Sequence, residues 1–236
     1  MDKKKKIERD QFEKFISNEK LRLPVYDIED SETPDFIATI NTKIVSVEHS
    51  RLINPAFQQI EQHKEKIIKN AQKKFEEKYS DKLYTLITFN DTPLKPGKHE
   101  EDKYTDEVFH LIEQIYLANR SFDFSVSSFS HRVKVSPSIE SFSVNNTFDF
   151  SHWQHFAAYS VSRIDMDWLQ NIISRKDKNI DKYSRKFDEN WLLLVSDFGT
   201  EASTNDFFDI DFSIIKSRFD KIYIYSYMMD QVITVR

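Results

Sequence analysis

Residues 34–50 read PDFIATINTKIVSVEHS, and this stretch decides how the sheet of the protein is predicted to form. Two runs of β-forming residues flank a polar pair at 41–42, which predicts an antiparallel hairpin with a two-residue loop. In that register Asp35 falls opposite Glu48, and like charges at directly opposed positions destabilise a hairpin. A divalent metal ion between the two carboxylates would offset the repulsion. The pair is therefore a candidate metal site, although the spacing alone favours two independent surface carboxylates on an ordinary hairpin.

The same register, in which Ile40 pairs with Lys43, also predicts which side of the hairpin is buried. Because successive strand residues point to opposite sides, every second residue faces the same side. On one side of the hairpin these residues are all apolar, as expected of a core-facing side: Phe36, Ala38, Ile40, Val45 and Val47. The opposite side is mixed and suits the floor of a cleft: Asp35, Ile37, Thr39, Ile44, Ser46 and Glu48. A slip of one residue would exchange the two sides, and the Asn-Thr turn also allows a longer loop with a shifted register.

Composition limits the class of protein. The chain has 236 residues, 39% of them hydrophobic, which is enough for one substantial core, so we expect a single domain over residues 1–236. No apolar run is long enough to span a membrane, and the lysine-rich start lacks the apolar core of a signal peptide, so we expect a cytoplasmic protein without a membrane partner. The absence of cysteine excludes disulfides and thiolate metal sites. With only two glycines the chain lacks a phosphate-binding loop or dinucleotide fingerprint, so no nucleotide cofactor is expected.

The net charge of −5 does not by itself indicate a nucleic-acid-binding protein. Two segments are nevertheless rich in cations and are candidates for following a phosphate backbone. The first, residues 64–78, includes Lys69 and Lys73, but glutamates alternate with its lysines, so an exposed helix face explains it better. The second, residues 175–186, includes Lys176, Lys178 and Lys182 and has only two aspartates to balance it, so the two interpretations are evenly matched there.

Periodicity predicts helices and strands along the whole chain. Helices are expected at 3–20, 55–79, 101–119, 165–185 and near 208–218. Strands beyond the hairpin are expected at 83–89, 191–196, 221–225 and 232–235, with 21–33 as a connector and 120–164 as a β-rich insert. This order predicts an α/β or α+β fold, with a mixed central sheet flanked by helices.

A helix, a hairpin that bears Pro-Asp and a downstream Glu, a second helix and an interior strand together resemble the core of the PD-(D/E)XK nuclease superfamily. The resemblance rests on Pro34-Asp35 and Glu48 and covers about residues 10–90, with a weaker likeness over 172–195. It implies a restriction-endonuclease-like fold and hydrolysis of phosphodiester bonds in DNA or RNA. It also implies that Asp35 and Glu48 bind Mg²⁺, or Mn²⁺ in its place.

The chain departs from the family pattern at one position. The family has a catalytic lysine two residues after the Glu, and here that position is Ser50. Some relatives carry the lysine on the following helix, which makes Lys64 and Lys66 the candidate catalytic cations. The ring of His49 could serve as a base, but strand alternation directs it to the core side, away from Glu48.

Three functions remain open from the sequence. The first is a metal-dependent nuclease, the second a catalytically inactive domain of the same fold that binds nucleic acid or a protein partner. The third is an unrelated α+β interaction protein with incidental carboxylates. The serine at position 50 favours the second over the first once the fold is assumed.

Overall fold

A computed structural model describes residues 2–90, 98–129, 136–156, 161–196 and 199–236. The α-helices found there are α1 Lys3–Ile16, α2 Pro55–Lys78, α3 Lys98–Asn119 and α4 Met166–Asp177. The strands are β1 Val25–Asp30, β2 Phe36–Ile40, β3 Lys43–Arg51, β4 Tyr84–Phe89, β5 Ser125–Ser127, β6 Ile139–Asn145, β7 His152–His155, β8 Glu189–Ser196, β9 Lys221–Ser226 and β10 Gln231–Thr234. Two short 3₁₀ helices span Ile180–Lys182 and Phe212–Ile214.

The chain forms two compact units, where the sequence analysis expects one domain. Unit 1 contains Met1–Asn54 and Ser160–Arg236, and unit 2 contains Pro55–Tyr159. The predicted α+β class with a mixed sheet flanked by helices is confirmed.

Unit 1 is built on a six-stranded sheet in the order β1-β2-β3-β8-β9-β10. The hairpin strands β2 and β3 are antiparallel, whereas β3, β8 and β9 run parallel to one another. The neighbour of the hairpin is thus the apolar strand β8, far away in sequence. Parallel neighbours need a long crossover connection. Here the chain between β3 and β8 contains the whole of unit 2 and helix α4.

Helices cover both sides of this sheet, and strand alternation decides which residues face which helix. Phe12 and Phe15 of α1 pack with Val47, Trp191 and Leu193 on one side. The other side is covered by α4: Leu169 and Ile173 pack with Leu192 and Leu194. Consecutive residues of β3 and β8 therefore face different helices.

The predicted hairpin register is confirmed. Ile40 pairs with Lys43 and Phe36 with Val47, so the next opposed positions are those of Asp35 and Glu48. Asn41, at the first loop position, has φ of 56°, a left-handed conformation that asparagine tolerates in such turns. The five apolar residues predicted to face the core are all buried.

Several predicted elements differ from the structure. Helix α4 ends at Asp177 instead of residue 185 and is followed by the 3₁₀ helix Ile180–Lys182, and α1 ends at Ile16 instead of residue 20. Residues 25–30, within the predicted connector, form edge strand β1, which pairs with β2. Its residues are mostly exposed and acidic, so no apolar alternation reveals it. Around 208–218 the structure has only the 3₁₀ turn, because the side chains of Asp206 and Asp211 accept hydrogen bonds from nearby backbone amides and compete with a regular helix.

Unit 2 is a separate four-stranded sheet in the order β5-β6-β4-β7, with α2 and α3 contributing to its core. The predicted interior strand 83–89 is β4, which lies between β6 and β7 in this sheet. The β-rich segment predicted as an insert supplies the other three strands. Within the described ranges, no helix has both the length and the apolar character that a membrane span requires.

Candidate functional site

The hairpin brings Asp35 and Glu48 together just beyond Phe36 and Val47, the pair of β2 and β3 farthest from the turn. Asp35 immediately precedes β2, and its Oδ2 accepts a hydrogen bond of 2.8 Å from the backbone amide of His49. Glu48 lies on β3 beside Leu192, which places it on the α4 side of the sheet. The Glu48 side chain is only 3% exposed, and a carboxylate so deeply buried requires partners.

Lys176 supplies the main partner from the end of α4. Its Nζ donates to Glu48 Oε2 at 3.1 Å and to the carbonyl oxygen of His49 at 2.8 Å. The same nitrogen lies 3.7 Å from Asp35 Oδ2. Three oxygens from two neighbouring segments thus converge on one positive charge.

Two neutral donors complete the surroundings of Glu48. Asn179 Nδ2 donates to Glu48 Oε2 at 3.0 Å, and the Tyr183 hydroxyl lies within 3.3 Å of Oε1. Burial and the neighbouring Glu48 carboxylate raise the pKa of Tyr183 well above its usual value, so its hydroxyl stays protonated and can donate. Lys176 lies in the last turn of α4, and Asn179 and Tyr183 flank the 3₁₀ helix Ile180–Lys182 that follows it, so the chain at the end of α4 brings all three to the same carboxylate.

The side of the hairpin predicted as a cleft floor is therefore partly covered. Ser46 and Glu48 are buried, and Ser46 Oγ bonds to Asn190 Oδ1 at 2.7 Å. Asp35 and Lys176 remain about a quarter exposed, with side-chain values of 22% and 24%. Solvent thus reaches the site from the side of Asp35 and Lys176.

His49 points to the opposite side of the sheet, as alternation predicts. Its Nε2 lies 2.9 Å from Gln11 Oε1 of α1, and its Nδ1 lies 3.9 Å from Glu8 Oε1. Burial, with the positive charge of Lys176, lowers the pKa of His49 to about 3, so the ring is neutral at physiological pH. Residue 49 therefore contributes its backbone amide and carbonyl to the site, while its ring packs against α1.

The lysines proposed from the sequence as catalytic lie elsewhere in the chain. Lys64 and Lys66 are on α2, which belongs to unit 2, and Lys66 pairs with Glu101 at 2.9 Å. Lys69 and Lys73 lie on the same helix, and Lys73 is 3.8 Å from Glu77. Most of this first cation-rich segment is thus engaged in surface ion pairs, as expected for an exposed helix face.

In the second cation-rich segment, residues 175–186, which the structure describes in full, the two aspartates do not pair with the lysines. Its two aspartates are occupied by a residue from another part of unit 1: Arg218 binds Asp181 through two nitrogens at 2.7 and 2.9 Å, and its backbone amide donates to Asp177. In the described part of the chain, Lys178 has no ion pair, and Lys182 donates only to the neutral side chain of Asn179. The positive charges of Lys178 and Lys182 are consequently available to an anionic partner.

Sequence reasoning missed the role of Lys176 at the carboxylates and the roles of Asn179 and Tyr183. It searched the helix that follows the hairpin in sequence, whereas the helix that reaches the site is the one preceding β8. A usable signal was present: Lys176, Asn179 and Tyr183 are polar residues three and four positions apart just before the apolar run 191–195. The choice between α2 and α4 required knowing that β8 pairs with β3.

The oxygens at the site are suitable ligands for a hard cation. Among the described residues, no group of three or more His, Asp or Glu side chains is arranged to hold a metal ion. A metal here would rely on Asp35, Glu48, the carbonyl of His49 and water, which suits Mg²⁺ because that ion retains several waters when bound.

No family model matches this chain, and the searches of curated proteins and of solved structures also return no match. The functional interpretation therefore rests on the geometry of the site.

Proposed function

We propose that unit 1 is a metal-dependent nuclease of the PD-(D/E)XK type, which hydrolyses phosphodiester bonds in DNA or RNA. The observation that carries this proposal is the convergence of Asp35 Oδ2, Glu48 Oε2 and the His49 carbonyl oxygen on a single cation, the Lys176 ammonium. A site that places three hard oxygens around one positive charge has the donor set of a magnesium or manganese site.

Each residue then has a defined task. Asp35, Glu48 and His49 would hold the metal ion, which polarises the scissile phosphoryl group and lowers the pKa of bound water. With the metal ion on these oxygens, the displaced Lys176 ammonium would supply a positive charge beside the phosphoryl oxygens as negative charge develops on them. In this role it replaces the lysine that the family pattern places at position 50, where this chain has Ser50.

The order of elements in unit 1 supports the same proposal. Around the carboxylates the chain provides α1, the β2–β3 hairpin, α4 and the interior strand β8. The family resemblance in the sequence rests on the helix and interior strand that follow the hairpin, α2 and β4, which belong to unit 2; in unit 1, α4 and β8 accompany the hairpin instead.

The positive segment beside the site fits a polyanionic substrate. Lys178 and Lys182 follow Lys176 on the same stretch of chain, and their aspartate neighbours are occupied by Arg218. A phosphate backbone that passes over these lysines would approach the carboxylates along a favourable potential.

A cleavage assay tests this function. Labelled single- and double-stranded DNA and RNA are incubated with Mg²⁺ or Mn²⁺ and the wild-type protein, Asp35→Asn or Glu48→Gln. We expect metal-dependent cleavage by the wild type and none by either variant. Cleavage that persists in both variants, or that continues in excess chelator, would contradict the proposal.

A second function is favoured by a specific observation. Lys176, Asn179 and Tyr183 together satisfy the buried Glu48 carboxylate without a metal ion. The same site could thus serve only to hold the fold, in a catalytically inactive domain that binds nucleic acid through the segment at 175–186. Salt-sensitive nucleic-acid binding by the wild type, without cleavage and without metal affinity, would select this alternative.

A further inference from the structure

Lys5 differs from the other lysines at the start of α1. Residues 3–6 are all lysine, and the side chains of Lys3, Lys4 and Lys6 are exposed. The Lys5 side chain is only 17% exposed, and its Nζ lies 4.6 Å from the centre of the Phe36 ring. The sequence predicts that all four lie on the first helix, and nothing in it distinguishes Lys5 from its neighbours.

The Lys5 ammonium joins α1 to the backbone that carries Asp35. Its Nζ donates to the carbonyl oxygens of Ser31 and Asp35, both at 2.7 Å. The Asp35 carbonyl also accepts from the Ser31 amide at 3.0 Å, which closes the β1–β2 connection into a compact loop. Phe12 of α1 stacks on Phe36 with ring centres 4.9 Å apart, so the helix itself is fixed against the start of β2.

We propose that Lys5 is a positioning residue for the metal site: it fixes the main chain at Asp35 so that the carboxylate points at the Lys176 side. Asp35 Oδ2 faces the His49 amide and Lys176 Nζ, while Oδ1 is 4.0 Å from Lys5 Nζ. This inference rests on the proposed function, because its consequence is measured as metal affinity. Through Lys5, helix α1 thus takes part in the site although it supplies no ligand to the metal.

Positioning and simple electrostatics predict opposite results when Lys5 is neutralised. Removal of a positive charge 4.0 Å from Asp35 should strengthen the binding of a divalent cation if the charge alone matters. Loss of a residue that orients a ligand from outside the first coordination shell weakens metal binding, by about 10- to 100-fold in known sites. The sign of the change therefore separates the two roles.

The experiment uses the full chain with Lys5→Met, Lys5→Gln and Lys5→Arg, and Lys6→Met as the matched control from the same helix. Calorimetric titration with Mn²⁺ alone gives the dissociation constant of each protein. Amide hydrogen exchange of His49, whose N–H donates to Asp35 Oδ2, reports the position of that carboxylate without metal. Circular dichroism verifies folding, and Lys5→Gln, whose neutral amide can still donate hydrogen bonds, serves if Lys5→Met does not fold.

We expect Lys5→Met to raise the Mn²⁺ dissociation constant by about tenfold or more and to accelerate exchange at His49. Lys5→Gln should fall between Lys5→Met and the wild type, and both Lys5→Arg and Lys6→Met should remain close to the wild type. Unchanged exchange at His49 in Lys5→Met, or tighter Mn²⁺ binding, would overturn the inference.

Failure of the proposed function gives a different result. If the wild type binds no Mn²⁺, the metal site is refuted, and the hydrogen-exchange comparison still decides whether Lys5 positions Asp35. If the wild type binds Mn²⁺ and Lys5→Met binds it equally well, only the role of Lys5 is refuted.

Discussion

Substitution of Lys176 by methionine isolates the interaction on which the site depends. Methionine keeps most of the length of the side chain but removes the ammonium that contacts Glu48, Asp35 and the His49 carbonyl. The buried Glu48 carboxylate then retains only the neutral donors Asn179 and Tyr183.

The size of the effect follows from the burial of the two charges. Removing one partner of a fully buried ion pair costs about 3–5 kcal/mol, because the other charge stays buried without compensation. Glu48 is buried, but Lys176 is 24% exposed, and two hydrogen bonds to Glu48 survive. We therefore expect Lys176→Met to lower the free energy of unfolding by about 2 kcal/mol, less than the range for a fully buried pair.

Urea denaturation at neutral pH in chelator measures this loss, with Lys178→Met as control because Lys178 is exposed on the same stretch of chain. Glu48→Gln in the Lys176→Met background should recover most of the loss, since no buried charge then remains. Mn²⁺ should stabilise Lys176→Met more than the wild type, because the ammonium no longer competes for the same oxygens. At 100 times its dissociation constant, a bound metal adds about 2.7 kcal/mol.

Two outcomes would refute this reasoning. The first is a Lys176→Met protein as stable as Lys178→Met, within about 0.5 kcal/mol, since that is the usual effect of a surface substitution. The second is a Lys176→Met protein whose stability does not respond to Mn²⁺ at any concentration that stabilises the wild type.

Further predictions concern the neighbours of the site and unit 2. Tyr183→Phe should lower the free energy of unfolding by about 1 kcal/mol through loss of a hydrogen bond to a buried carboxylate, and unchanged urea denaturation would contradict that contact. Joint replacement of Lys178 and Lys182 by alanine should weaken DNA binding at all sequences and reduce the salt slope by about 2, whereas Lys73→Ala should leave it unchanged; equal effects would exclude the segment at 175–186 as the binding surface. Burial, together with Lys64, lowers the pKa of His155 to about 4, so NMR titration should find the folded ring titrating far below the unfolded value of about 6.5. Because the unfolded state takes up the proton first, His155 should cost stability as the pH falls from about 6.5 towards 4, and a wild-type loss that His155→Gln does not reduce would contradict this.

Local sequence information was sufficient to predict the hairpin. Its alternation and two-residue turn favour the register, the buried side and the opposition of Asp35 to Glu48 that the structure has, because all these depend on residues within one short segment. The apolar character of β8 likewise predicts an interior strand. Neither pattern predicts that β8 pairs with β3.

The parts that escaped prediction depend on contacts between distant segments. Strand β8 adds to β3 across more than a hundred residues, with Val47 beside Trp191, and only this pairing brings α4 to Glu48. The sequence predicts Lys176 to be one of several surface cations, because the carboxylates that pair with it belong to the hairpin and not to its own segment. The acidic strand β1 was not predicted because an edge strand needs no apolar pattern. The role of Lys5 was not predicted because its acceptors are backbone carbonyl oxygens, which every residue has whatever its side chain.

Binding of Mn²⁺ to the wild type and to two isosteric variants tests the central claim most directly. Calorimetric titration of the folded wild type should reveal one site, and both Asp35→Asn and Glu48→Gln should abolish it or weaken it by at least about tenfold, because each removes a charged oxygen ligand. A wild-type protein that binds no Mn²⁺, or a Glu48→Gln protein that binds it with unchanged affinity, would contradict the assignment of a metal site to this hairpin.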